Sequence, residues 1–395
     1  MAPMRPTGSA NDRATRLAAV IVTWNVFEHF YPYFDVVQTD WPQVLRTSLS
    51  AAAEDKDADQ FRTTLSKLVA GLHDGHGQVS GGSTSALAVP PVGLTWADGR
   101  VVVLYSIGQT GIAPGDAILS IDGKPVADLM AERQAQISGA TPQWIRYRML
   151  TELLAHPPGT NVVVEIEPFA EPNTRRSVSL RAASSPAAVG DDPQRPAKVK
   201  EMEPGIFYLD MNKLTDADFA GVLPSLLNAK GIVFDMRGYP RLQNIGEFFG
   251  HLIDKPATSA QWNVPNVTRP DRDRMTFVRE GEWQLRPVAP FFQAKRAFII
   301  DGRAISYAES VMGIVENYQL AEIVGEPTAG TNGNINPFPV PGGFTVAWTG
   351  MKVLKHDGSQ HHGIGILPTI PVSRTRAGIA AGRDEQLERA IQAVK

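Results

Sequence analysis

The sequence predicts an α/β core in the C-terminal half, preceded by a helical segment and a small β-rich module. Beyond residue 200, short apolar runs alternate with runs of helical spacing, as in a largely parallel sheet with covering helices. Between residues 12 and 72, apolar side chains recur at helical spacing without strand-like runs. From Pro91 to about Phe169, short β-type runs are separated by turn residues. At about 100–200 residues per domain, the chain's 395 residues make two or three domains.

In the first segment, Leu17, Val20, Ile21, Trp24, Phe27 and Phe30 give residues 13–31 an apolar helical face, which Pro32 ends. Helices are predicted at 41–53 and 58–72, the latter with Phe61, Leu65, Leu68, Val69 and Leu72 on one face and Asp57 or Asp59 as cap. This aromatic stripe reads as the core of a helical bundle. The run His73-Asp74-Gly75-His76-Gly77 then breaks the helix, and residues 80–85 form a Gly/Ser loop. Strands are predicted at 101–105, 117–121 and 161–166, helices at 127–138 and 143–155, and a hairpin at Asp122-Gly123. Residues 184–199 have the composition of a linker. The predicted boundaries are therefore 1–85 helical, 86–183 β-rich, 184–199 linker and 200–395 α/β.

In the α/β part, strands are predicted at 206–211, 231–236, 296–300 and 321–325, with helices at 216–228, 244–253 and 307–316 between them. A further strand at 344–352 and a terminal helix at 384–394 follow. Residues 254–295 form a long connection that reads as a lid or substrate-facing excursion. There is no internal repeat.

Composition removes several function classes. With 38 basic and 41 acidic residues, no basic excess is available for a nucleic acid. No run of about 18 apolar residues is present to span a membrane. The cysteine count is zero, which excludes disulfides, thiol nucleophiles and cysteine-held metals. A nucleophile must then be Ser, Thr, Lys or a carboxylate. The His73-x-x-His76 pair with His356, His361 and His362 lacks the helical H-E-x-x-H context of a metal site, so no metal and no cofactor is expected.

Two places can carry chemistry. Ser306 lies in Asp301-Gly-Arg-Ala-Ile-Ser-Tyr-Ala-Glu309, between a predicted strand and a helix. At such a turn a serine is exposed near free helix N–H groups, or it caps the helix. A nucleophilic serine needs a base, and His76, on a glycine-flanked loop, is the best candidate, although a loop histidine is more often structural.

In their order and spacing these residues resemble the serine peptidase family of C-terminal processing (tail-specific) proteases and the tricorn core. The resemblance rests on His29-Phe-Tyr-Pro32, Asp40-Trp41 and Leu72-His-Asp-Gly-His76. It continues in Gly111-Ile-Ala-Pro-Gly-Asp-Ala-Ile-Leu-Ser-Ile-Asp-Gly-Lys124, Gly231-Ile-Val-Phe-Asp-Met-Arg-Gly238 and Ser306-Tyr-Ala-Glu309. Val324-Gly-Glu-Pro-Thr-Ala-Gly330, Gly363-Ile-Gly-Ile-Leu-Pro368 and Gly382-Arg-Asp-Glu-Gln-Leu-Glu388 complete it. It implies a ClpP/crotonase-like mixed sheet with helices for the α/β core, a PDZ-like fold for the β-rich module and an N-terminal helical bundle. It also implies a bacterial enzyme in a periplasmic or secreted setting. Met1 to Asn11 lacks a signal-peptide apolar region, so an exported protein would have to be trimmed here.

By position the resemblance makes Ser306 the nucleophile, with oxyanion or substrate-binding roles for Gly238, Tyr239, Tyr307 and Thr331. The processing-protease branch has a lysine base 25 residues after the serine, and that position is Thr331 here. The tricorn-like branch uses a histidine after a small residue, which Gly75-His76 matches. That branch also places a glutamate before the closing turn, where this chain has His362. Asp74 and Glu309 are then candidates to support His76, and His362 occupies the vacated position. Gly238 is followed by Tyr239-Pro240 where the family tends to have a second glycine.

The expected partner is a peptide or protein, bound by strand addition to the PDZ-like module. Arg269, Arg272, Arg274 and Arg279 in the long connection could meet a substrate carboxylate, or simply be solvated, beside Trp262 and Trp283. Three readings stay open: a serine endopeptidase or carboxy-terminal peptidase, a non-proteolytic peptide- or ligand-binding relative, and a hydrolase of small esters or specialised peptides.

Overall fold

A computed structural model describes residues 8–82, 86–185 and 192–395. Parts of two loops read from the sequence, 83–85 and 186–191, lie outside the described residues, as do residues 1–7 of the N-terminal stretch.

The α/β core is a six-stranded sheet in the order Ile370–Pro371, Glu322–Gly325, Lys295–Ile300, Gly231–Asp235, Ile206–Asp210, Val199–Glu203. The first five strands run parallel, and Val199–Glu203 closes the edge antiparallel. The parallel strands are apolar on both faces because both are covered. Ile232, Phe234 and Phe298 point to a core shared with helices Asp216–Leu226, Ile245–Gly250 and Tyr307–Asn317. Val233, Ala297 and Ile299 face the C-terminal helix Glu385–Ala393.

The β-rich part is an antiparallel sheet, Val92–Ala97, Arg100–Ser106, Ala117–Ile121, Asn161–Glu167, Arg176–Arg181, with helices Val126–Gln134 and Pro142–Glu152 beside it. Asp122 and Gly123 both have positive φ, +48° and +78°, the backbone of a tight hairpin.

Helices Arg13–Phe30, Trp41–Glu54 and Ala58–Ala70 begin at Asp12, Asp40 and Asp57, each accepting a first-turn N–H. Their buried face does not close on itself. Phe27 packs edge-on against Phe338 and Trp348, and Phe61 against Phe344, all from the hairpin Ile335–Val340/Phe344–Thr349. Ile21 and Phe30, read from spacing as part of the stripe, are 47% and 45% exposed.

The connection 254–295 is not structureless. Gln261–Asn266 pairs with Thr276–Arg279 and with Lys352–Leu354, while Ala257–Thr258 pairs with Gln284–Leu285. Among the described residues, no helix is long and apolar enough to cross a membrane.

Candidate active site

Strand Lys295–Ile300 ends in a turn that the Asp301–Arg303 ion pair closes at 2.7 Å. Three residues later Ser306 sits at φ +58°, ψ −113°, a conformation that side-chain-bearing residues rarely adopt. Helix Tyr307–Asn317 starts directly after it, yet the Ser306 hydroxyl makes no capping hydrogen bond. The hydroxyl is thus left for other use, while the Ser306 N–H donates to Thr331 O at 2.9 Å. Ser306 lines a cavity of about 430 Å³ with Tyr239, Trp262, Trp283, Tyr307 and Asn332 among its walls. None of the described residues lining it is charged.

His76 belongs to the loop between helix Ala58–Ala70 and strand Gln78–Gly81. Tyr31 donates its hydroxyl to Leu72 O at 2.8 Å and pins the start of this loop. Strand Gln78–Gly81 runs antiparallel to Phe344–Thr349, with Gln78 opposite Ala347. Continuing that register by two residues brings His76 opposite Thr349, and His76 Nδ1 lies 2.8 Å from Thr349 Oγ1. Asp74 is fully buried. Its Oδ1 accepts the His76 N–H at 3.0 Å and the Thr349 hydroxyl at 2.6 Å, and its Oδ2 accepts the Thr349 N–H at 2.6 Å.

The loop and the serine turn are joined at Thr331. Gly75 N–H donates to Thr331 Oγ1 at 2.9 Å, and Thr331 O accepts from Ser306. A Cβ on Gly75 would lie 2.7 Å from Thr331 Oγ1 and 3.0 Å from Ile305 Cδ1, so this approach requires glycine. One threonine therefore holds both Ser306 itself and Gly75, the neighbour of His76, although Ser306 and His76 are 230 residues apart in sequence. The direct Ser306–His76 hydrogen bond is not made: His76 Nε2 is buried and has no partner among the described residues. Hydrogen bonds of this type are often open until substrate binds. Burial lowers the His76 pKa below its ordinary value, against the opposing charges of Asp74 and Glu309, so the ring is neutral at pH 7.

Several residues chosen from the sequence occupy other positions than their expected roles need. Glu309 lies on the inward face of its helix. Its carboxylate accepts from Thr328 Oγ1, from Gly330 N at 2.7 Å and from Thr331 N at 2.8 Å, with His361 Nε2 3.5 Å away. It holds the turn that carries Thr331, and with its carboxylate taken up by Thr328, Gly330 and Thr331 it makes no hydrogen bond to Ser306 or to the His76 ring among the described residues. Thr331 is fully buried and is not among the described residues lining the Ser306 cavity; its hydrogen bonds clip the site together. His362 stacks on Tyr33 at 4.0 Å and bonds His73 O through Nε2 at 3.0 Å, which steadies the loop backbone but not the imidazole of His76.

The loop after Arg237 rests on a buried ionic cluster. Arg237 bonds Asp235 at 2.6 Å and Asp384 at 2.7 Å. Burial raises the Asp235 pKa, but Arg195 and Arg237 outweigh it and keep the group well below the carboxylate range. Gly238, at φ +142°, spends its N–H on Met236 O at 2.8 Å, which removes it as an oxyanion donor. The N–H groups of Tyr239 and Tyr307 have no acceptor among the described residues. Both side chains line the cavity, and their rings lie 5.9 Å apart. The Tyr307 hydroxyl donates to Leu242 O at 2.7 Å, and burial pushes its pKa up to about 12.

Of the arginines in the long connection, Arg272 pairs with Glu28 at 3.1 Å and covers Phe34, Arg269 pairs with Asp273, and Arg279 with Glu282. None of them lines the Ser306 cavity, whereas Trp262 and Trp283 do. Sequence reasoning missed Thr349, since only the register of Gln78–Gly81 against Phe344–Thr349 brings it to His76.

Residues 205–372 match the model of peptidase family S41. No curated protein matches the sequence. Among solved structures, mature CPAF aligns over 96% of this chain and 97% of its own with TM-score 0.76 and 14% identity. A putative peptidase from Parabacteroides merdae aligns over 97% and 96% with TM-score 0.56 and 13% identity. The tricorn protease aligns over 96% of this chain and 36% of its own with TM-score 0.52 and 13% identity. At these identities the likeness is one of fold. The segment 205–372, which holds Ser306, its helix and the Arg237 loop, belongs to peptidase family S41, and the chain is a serine-type peptidase.

Proposed function

We propose that the chain cleaves peptide bonds through an acyl-enzyme on Ser306, with His76 as base. One observation carries this reading: an uncapped serine in a strained turn opens on a cavity, and the loop bearing a neutral histidine is clipped to the same turn through Thr331. In the first step His76 Nε2 takes the hydroxyl proton as Oγ attacks the substrate carbonyl. The negative oxygen is received by the N–H groups of Tyr239 and Tyr307, the latter at a helix N-terminus. Collapse of the intermediate breaks the C–N bond, and the proton on Nε2 passes to the leaving amine. Water, deprotonated by Nε2, then hydrolyses the ester and restores Ser306.

The cavity selects substrate by its walls. With aromatic rings and amides and no charge, it fits a neutral side chain next to the scissile bond and disfavours a charged one, which would be desolvated without a partner. Strand Val92–Ala97 is a free edge of its sheet, and between it and helix Pro142–Glu152 lies a second cavity of about 200 Å³ lined by Arg146, Arg303 and Arg374 together with Asp192, Asp301 and Glu326, in which Arg303 pairs with Asp301, Arg374 with Asp192, and Arg146 lies over the Trp96 ring. This supports a PDZ-like module that takes an extended chain end by strand addition, and with it the tail-specific reading. A fluorophosphonate tests the function: it should add one mass to the full chain, mapped to Ser306 and absent in Ser306→Ala. No adduct, or an adduct that survives Ser306→Ala, would sink the proposal.

A further inference from the structure

We infer that Thr349 is a positioning residue that makes Asp74 the orienting carboxylate of His76, so that the third group acts on the imidazole through a hydroxyl relay. The inference rests on the Ser306–His76 reading above and adds the group that fixes the state of the base.

The reasoning is a count of hydrogens. Asp74 accepts two backbone N–H bonds, from His76 and Thr349, and a third bond from the Thr349 hydroxyl. An ionised carboxylate only accepts, and a threonine hydroxyl has one hydrogen. Once that hydrogen goes to Asp74 Oδ1 at 2.6 Å, Thr349 Oγ1 offers only a lone pair to His76 Nδ1, 2.8 Å away. The bond then requires hydrogen on Nδ1. In the neutral ring this leaves Nε2 bare, and Nε2 is the nitrogen without a partner among the described residues. When His76 becomes an imidazolium after taking the Ser306 proton, the same chain presents a negative charge to it one hydroxyl away.

Asp74 cannot do this directly. It lies two residues before His76 and spends Oδ1 on the His76 backbone N–H, so its carboxylate sits under the loop and not at the ring. Thr349 closes the gap because it lies opposite His76 in the strand register. Asp74 and Thr349 are fully buried and His76 is 7% exposed, so the relay sits out of solvent, where its hydrogen bonds are strong. The nearby groups do not compete: Glu309 is engaged by the 328–331 turn and His362 by the His73 carbonyl.

The test uses the full chain labelled with ¹⁵N-histidine, together with Thr349→Val and Thr349→Ser. In the wild type near pH 8, ring ¹⁵N shifts should report His76 protonated at Nδ1. Thr349→Val, which keeps the shape but has no hydroxyl, should slow fluorophosphonate labelling of Ser306 by about 10²-fold or more, the scale of a lost base function. Thr349→Ser should stay within a few-fold of wild type. An Nε2–H ring in the wild type, or wild-type labelling by Thr349→Val, overturns the relay. If Thr349→Val does not fold, the wild-type tautomer and the Thr349→Ser rate still decide. Failure of the underlying reading looks different: the wild type itself would not label.

Discussion

At Thr331 three separate parts of the chain meet. Its N–H goes to Glu309, its hydroxyl oxygen accepts from Gly75, and its carbonyl accepts from Ser306. Thr331→Val keeps the backbone bonds but leaves the buried Gly75 N–H without an acceptor. It should cost about 1–3 kcal/mol in urea unfolding and slow Ser306 labelling at least several-fold, since the loop carrying His76 loses its clip. Equal labelling at lowered stability would show that the clip is structural only. From their local contexts, a strand-to-helix turn and a glycine-flanked loop, Ser306 and His76 were candidates only, and the family resemblance singled them out as the proposed nucleophile and base. Glu309, Thr331 and His362 were found by position, but their roles were not legible: which face of a helix or turn they occupy depends on contacts 22 to 289 residues away. Thr349 had no local signal at all.

At the scale of elements, the parallel strands were readable because apolar runs such as Gly231–Asp235 are buried on both faces. Edges were not. Val199–Glu203 is mostly charged and exposed, and Ile335–Val340 carries two prolines. Their strand character comes from a neighbour's hydrogen bonds and not from their own pattern. The strand-to-loop junction at Asp235–Arg237 shows why an apolar strand ends in charge. Arg237 ties that junction to Asp384 at the start of the last helix and to Gln386 within it, and so fixes the Tyr239 loop. Arg237→Ala strands buried carboxylates and should lower unfolding stability by about 3–5 kcal/mol in a denaturant titration. A loss below about 1 kcal/mol would mean that the cluster does not hold the loop.

At the scale of the molecule, the surroundings of His76, the proposed base, are assembled across parts that the sequence presents as separate. The helical segment completes its core only with the hairpin that carries Thr349, so packing around Phe27, Trp348 and Phe344 also sets the register at His76. The same burial gives a pH signature. Burial lowers the pKa values of His76 and His362 below the ordinary 6.5, with Asp74 only partly offsetting it. The unfolded chain then binds more protons near pH 6, so this contribution to stability is present above about 6.5 and is lost as pH falls through the folded-state values. The midpoint of thermal unfolding should drop between pH 7.5 and 5.5, and the drop should shrink in His362→Asn. A midpoint that rises over that range would contradict a buried neutral pair.

The central claim is that Ser306 is a nucleophile activated by His76, and its most direct measurement is the rate of fluorophosphonate addition at Ser306 in wild type and in His76→Ala, with folding of both checked by circular dichroism. The expected result is a mapped Ser306 adduct in the wild type that forms about 10²- to 10⁴-fold more slowly in His76→Ala. Equal rates in the two folded proteins would contradict it.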